Sequence, residues 1–152
     1  PKPQTPNPKP QTPNPIFEYY FCLLNNNLMF SDPSTLLIKP ISANLTRNTE
    51  TIGKMDPYVE LTIGSQTFKT KVHQDAGKNP TWNDIFSYQL TQSDDTIRIK
   101  VWDKDTLSKN DLIGETTANL AGVRHRKNNT ETFNLTHAGK SAGTILIGLE
   151  LH

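Results

Sequence analysis

A period of two runs through this chain and constrains its fold class more than any other feature. In TIRIKVW, Ile97, Ile99 and Val101 face one way while Arg98, Lys100 and Trp102 face the other. In YVELTI, Val59, Leu61 and Ile63 alternate with Tyr58, Glu60 and Thr62, and in GTILIGLEL the residues Ile145, Ile147, Leu149 and Leu151 share a face. Successive strand side chains point to opposite faces, so this alternation marks half-buried strands. Further runs, TLLIKPI, TFKTKV, IFSYQL, DLIGETTANL and TFNL, are separated by turn residues such as Gly64-Ser65, Gly77, Asn79-Pro80 and Gly139. About eight short strands at this spacing predict an all-β fold, an eight-stranded antiparallel β-sandwich. No segment keeps a helical period.

The alternation starts at Ser34, so residues 34–152 are expected to form the domain. Residues 1–15 carry PKPQTPN twice. Proline this dense removes ladder donors and favours an extended, disordered tail. Residues 16–33 include IFEYYFCLLNNNLMF, which is apolar but interrupted by Glu18 and three asparagines. It falls short of the roughly 20 apolar residues that span a bilayer. It also shows neither the basic flank nor the cleavage site of a secretory signal, and is expected to be a linker or an extra packing segment. A formal net charge of +1 argues against a general nucleic-acid binder. Cys22 is the single cysteine, which excludes an intrachain disulfide and fits a reducing, cytoplasmic setting. Glycosylation acceptors at Asn44, Asn128 and Asn134 matter only in a secreted protein.

Against this background VWDKDTLSKNDLIGE, residues 101–115, is costly. Asp103, Asp105 and Asp111 share one turn-like segment, and two like charges about 4 Å apart repel by about 4 kcal/mol at an effective dielectric near 20. A sandwich gathers its loops at two ends. The loop RNTETIGKMDPYV supplies Glu50 and Asp56 at the mouth of a strand. If the two loops share an end, five carboxylates converge, and a bound cation offsets the crowding. Hard oxygen ligands on flexible loops suit Ca2+. An EF-hand does not fit the segment: Leu107 stands at the fifth loop position, Ser108 where glycine belongs, and Gly114 where the bidentate glutamate belongs. Asp56 could alternatively cap the turn before Pro57, but the neighbouring cluster favours a ligand role.

GKMDPYVEL, KNPTWND and VWDKDTLSKNDLIGE occur in that order between residues 53 and 115. With these motifs the chain resembles the C2 domain family, and the alternating strands extend the resemblance over about 34–152. The resemblance implies an eight-stranded sandwich, in the permuted topology whose first strand leads into calcium loop one. It also implies Ca2+ held between loops and bridging to anionic phospholipid. Asp56, Asp103, Asp105 and Asp111 match the ligand positions. The remaining position, usually aspartate, is Glu50, whose extra methylene moves the carboxylate outward by about 1.5 Å. Tyr58 and Trp102, both expected on the outer face, match positions that help hold a phosphoinositide headgroup.

Lys69 and Lys71 share the polar face of TFKTKV, with Lys54, Arg98 and Lys100 nearby, which makes either a solvated face or a basic patch for acidic lipid. Glu60 and Thr62 depart from the strongest such patches. Arg124-His125-Arg126-Lys127 reads as an exposed loop. Trp82 and Asn83 read as structural, an anchored aromatic and a backbone-bonding amide. Ile52, Met55 and Leu107 flank the acidic loops and either dip into headgroups or pack on neighbouring loops. No nucleophile with a nearby base and no phosphate-binding glycine loop is visible, so no enzyme is expected. The expected function is calcium-dependent binding of anionic phospholipid membranes by a cytoplasmic, peripheral protein. The alternative is a calcium-independent scaffold or accessory subunit that holds a protein partner.

Overall fold

Eight strands form because each offers one apolar row that only a facing sheet can cover. The computed structural model describes residues 2–3 and 34–152. The expected tail over 1–15 and linker over 16–33 therefore lie outside the described residues, apart from residues 2–3. The strands are β1 Ser34–Leu45, β2 Pro57–Ile63, β3 Gln66–Lys69, β4 Phe86–Leu90, β5 Thr96–Asp103, β6 Asp111–Asn119, β7 Asn128–His137 and β8 Lys140–Leu151. One short helix, α1, Ala121–Arg126, precedes β7.

All pairings are antiparallel, in the order β3-β2-β5-β6-β7-β8-β1-β4. β6 meets β7 through the single register pair Glu115↔Thr136, so the ladder folds there into two four-stranded layers. Val59, Leu61, Ile63, Ile97, Ile99 and Val101 from one layer and Leu36, Ile38, Leu135, Ile145 and Ile147 from the other bury their side chains in one core. Each such burial contributes about 1.5–3 kcal/mol. At the fold line the layers press close. A Cβ on Gly114 would lie 2.8 Å from the Ala142 Cβ, so only glycine fits there. Beside it the β5–β6 register shifts from Val101↔Gly114 to Trp102↔Leu112, which leaves Ile113 as the extra residue of a β-bulge.

Two expectations change. TFKTKV is not one strand: β3 stops at Lys69. The buried Thr70 hydroxyl accepts the Val59 N–H at 2.9 Å and takes the place of a ladder carbonyl. The Lys71 N–H then turns to the Asp84 carboxylate at 3.2 Å. Lys69 and Lys71 are therefore not neighbours on one strand face. The basic run 124–127 is not simply a loop either. Leu120 and Val123 are buried and hold α1 against the sandwich, and the Arg124 guanidinium donates to the Thr91 and Asp94 carbonyls at 2.7 and 2.8 Å.

These contacts close the end of the sandwich away from the acidic loops. The Asp94 carboxylate accepts from the Thr91 N–H at 2.8 Å, the Thr91 hydroxyl at 2.7 Å and the Tyr88 hydroxyl at 3.0 Å. Burial pushes the Asp94 pKa up, but the bonds from Thr91 and Tyr88 and the charge of Arg124 outweigh it and hold the pKa below the ordinary carboxylate value. A depressed folded-state pKa contributes stability above the unfolded-state value, near 4, and that stability fades as pH falls through the folded pKa. Asp94→Asn should cost about 1–3 kcal/mol at pH 7. The gap to the parent should narrow on acidification below about pH 4. Thermal melts of both proteins from pH 7 to pH 3 check this, and a gap that does not change with pH contradicts it.

Candidate functional site: an acidic loop end

The other end of the sandwich is organised around Asp103, the last residue of β5, which is only 1 % exposed. It faces Pro57 on one side and Asp111 on the other in strand register. A buried carboxylate needs donors, and the loop 46–56 supplies them. The Asp56 N–H donates to Asp103 Oδ1 at 2.7 Å and the Thr49 hydroxyl to Oδ2 at 2.6 Å. Asp56 continues the chain of bonds: its Oδ1 accepts the Asp75 N–H at 2.6 Å, and its carbonyl accepts the Lys104 N–H at 3.1 Å. Loop 46–56 is thus tied to loop 70–85 through the Asp56 side chain and to loop 104–110 through the Asp56 carbonyl. Asp103 and Asp56 are cross-links as well as like charges.

Asp105 differs. Its backbone N–H donates to Asn110 Oδ1 at 3.1 Å, and Asn110 Nδ2 reaches the Tyr58 hydroxyl at 3.0 Å. Asp105 Oδ2, in contrast, is buried without a partner. Among the described residues it shares that condition only with Trp102 Nε1. Glu50 sits on a turn closed by the Asn48 amide, which accepts the Glu50 N–H at 3.3 Å and donates to its carbonyl at 3.0 Å. The Glu50 pKa is raised, by desolvation first and then by the charges of Asp103, Asp105, Asp56 and Asp111. All five predicted carboxylates therefore act on one region. Among the described residues, however, no three His, Cys, Asp or Glu side chains already surround a common point closely enough to hold a metal ion.

The apolar and basic candidates divide. Ile52 is 89 % and Leu107 100 % exposed, both on acidic loops. Met55 is a correction: it is 1 % exposed and belongs to the core. Its carbonyl accepts the Gly77 N–H at 3.0 Å, which draws it beneath the 70–85 loop. Tyr58 is a second correction, because alternation placed it on the outer face and the structure covers it to 7 % exposure. Its strand neighbour Trp102 is half-buried, with the Lys100 ammonium 5.6 Å from the ring centre. On the same face Lys69 pairs with Glu60 at 3.2 Å and Lys100 approaches Glu115 at 4.0 Å, so part of the expected basic patch is neutralised. Lys71 and Lys54 are exposed. Trp82 is buried, with its indole N–H donating to the Pro57 carbonyl at 3.3 Å, while Asn83 is exposed.

Thr49 and Asn110 were not singled out from sequence. The visible signal for both is a short polar residue directly before an acidic one, in Thr49-Glu50 and Asn110-Asp111.

Asp103→Asn puts an amide donor where two donors already point, and should destabilise the calcium-free protein by about 1–3 kcal/mol. Asp105→Asn removes an unpartnered buried carboxylate oxygen, and should cost less or raise stability. Urea unfolding of both variants in chelator measures the difference, and equal losses would refute the distinction.

The comparisons agree with this architecture. The family model described as C2 domain matches residues 34–135. Elicitor-responsive protein 3 of Oryza sativa subsp. japonica is 30 % identical over 116 residues, covering 76 % of this chain and 81 % of that one. Elicitor-responsive protein 1 of the same subspecies is 41 % identical over 76 residues, 47 % of this chain and 48 % of that one. The chain thus spans about half the length of that relative. Among solved structures, the paired C2 domains of Extended-Synaptotagmin 2, described as calcium bound, superpose with a TM-score of 0.67 at 25 % identity. That match covers 78 % of this chain and 45 % of the other. A two-layered antiparallel sandwich with three acidic loops stitched together at one end, matched by the family model over most of its length, makes this chain a member of the C2 domain family.

Proposed function

We propose that this protein binds anionic phospholipid membranes in a calcium-dependent manner through the loops 46–56, 70–85 and 104–110. The observation that carries the reading is Asp105 Oδ2, a buried carboxylate oxygen without a donor, at an end of the sandwich where Asp103, Asp105, Asp56 and Asp111 all act on Glu50. Leaving such an oxygen unmet is costly, and a hard divalent cation meets it. Asp105, Asp111, Asp56 and Glu50 would hold Ca2+, with Asp103 behind them. Bound Ca2+ would offset the negative charge of this end and offer open positions to lipid phosphate oxygens. The calcium-bound Extended-Synaptotagmin 2 domains, similar in fold, support the same assignment.

The chain's own residues supply the rest. Much of the scaffold is preformed, since the strands set the loop ends and hydrogen bonds tie loop 46–56 to β5, to loop 70–85 and to loop 104–110. Ile52 and Leu107 present apolar side chains to the headgroup region. Lys71 and Lys54 add positive charge that acidic lipid attracts, each by about 1 kcal/mol near the surface. Trp102, Tyr58 and Lys69 contribute less to lipid contact, because Tyr58 is covered and Lys69 is paired. In this reading attachment is peripheral, through these loops; among the described residues no helix is long and apolar enough to cross a membrane.

One observation favours a second reading. Asp103, at the centre of the site, already has both oxygens satisfied by protein donors. A calcium-independent scaffold that holds a protein partner would use such a closed loop end as it stands.

Calcium should raise the melting temperature of the parent, equivalent to about 2.7 kcal/mol at a hundredfold excess over its dissociation constant. A flat titration up to millimolar calcium favours the scaffold. Vesicles with anionic lipid should sediment the protein with calcium and not with chelator. Ile52→Ser with Leu107→Ser should lower the sedimented fraction several-fold while leaving the calcium midpoint of the thermal shift in place, since neither side chain is a ligand. Unchanged sedimentation would show that the loop tips stay outside the bilayer.

A further inference from the structure

The turn that carries Glu50 is held by few bonds. Its own closure, between Asn48 and Glu50, uses exposed groups. The like charges of Asp103, Asp105, Asp56 and Asp111 act on Glu50, so this turn needs a tie of its own to stay at the acidic end. Thr49, one residue earlier, ties the turn down at two points. Its hydroxyl donates to Asp103 Oδ2 at 2.6 Å, and its N–H points to the sulfur of the buried Met55 at 3.5 Å. The first bond is the stronger, because a charged acceptor roughly doubles the strength of a hydrogen bond. The second is weak, since a thioether is a poor acceptor. Among the hydrogen bonds described for residues 48–50, the Thr49–Asp103 bond is the one that joins this turn to a carboxylate on another strand.

We propose that Thr49 is a positioning residue of the cation site. Its hydroxyl, anchored on the buried Asp103, holds the Glu50 turn against the remaining carboxylates, so that this longer side chain serves as a ligand. The role rests on the calcium reading given above. It differs from simple stapling of a loop in one respect: loss of the hydroxyl is felt by calcium through Glu50. A residue that orients a metal ligand typically changes metal affinity by about 10–100-fold when removed.

The test uses the full chain and calcium alone, with isothermal titration for affinity and a melting temperature in chelator for each protein. Thr49→Val should weaken calcium binding about tenfold. Thr49→Ser, which keeps the hydroxyl, should bind like the parent. Glu50→Gln should weaken binding as well, and Thr49→Val combined with Glu50→Gln should be no weaker than Glu50→Gln alone, because both changes remove the same ligand. Should the valine variant unfold, Thr49→Ala repeats the test with a smaller side chain. A lower melting temperature with unaltered calcium affinity would overturn the proposal and leave Thr49 as a loop staple. Losses that multiply in the double variant, or a Glu50→Gln protein that binds like the parent, overturn it equally. A parent that takes up no calcium overturns the calcium reading and this role with it, whereas a parent that binds while Thr49→Val matches it overturns this role alone.

Discussion

The burial of one negative charge governs the loop end. Asp103 is carried inward by the same alternation that buries Ile97, Ile99 and Val101. A carboxylate in that position requires donors, and the loop 46–56 folds back to give them from Thr49 and Asp56. The strand register places Pro57 opposite Asp103, so the loop returns to the sheet beside the charge it satisfies. Fold and site are therefore not separable here. This acidic residue is among the most enclosed in space, and it works first as a clamp that holds loop 46–56 to β5.

The eight strands were legible because period two survives in nearly every one, and the core follows from the same rows. What was not legible has local physical causes. Thr70 ends β3 by substituting a hydroxyl for a backbone carbonyl, which alternation cannot reveal. Met55 reads as a loop residue flanking an acidic cluster, yet it is buried, and its carbonyl accepts the Gly77 N–H of the next loop. Tyr58 has the parity of an outer residue yet is covered, and its hydroxyl accepts from the Asn110 side chain of another loop. α1 is too short for its single buried valine to show a helical period. The five acidic positions came from their crowding and from resemblance to a known family. The donors that satisfy Asp103 and Asp56 are one hydroxyl and two backbone N–H groups, and none of these has a pattern to read.

Charge on the outer face of β2, β3 and β5 follows a similar logic. Counting lysines along the sequence suggests a basic surface. Cross-strand neighbours supply the missing term, since Glu60 lies opposite both Lys69 and Lys100 in register. Exposed ion pairs of this kind add little stability, about 0–1 kcal/mol. They do reduce the field that an acidic surface would feel, while Arg98 on that face and Lys54 and Lys71 on loops of the acidic end remain exposed.

The extra residue in β6 has a consequence for how this architecture tolerates change. Counted back from Gly114 opposite Val101, an unbroken ladder would set Leu112 opposite Asp103 and turn Asp111 toward the face of Trp102. The insertion of Ile113 reverses that parity, so that Asp111 stands opposite Asp103 instead. Side-chain identity at Ile113 is thus a packing matter, while its presence is an arithmetic one. Altered length in the 104–110 loop changes reach by a few ångströms. Loss of a single residue from the bulge would move a carboxylate to the wrong side of the sheet.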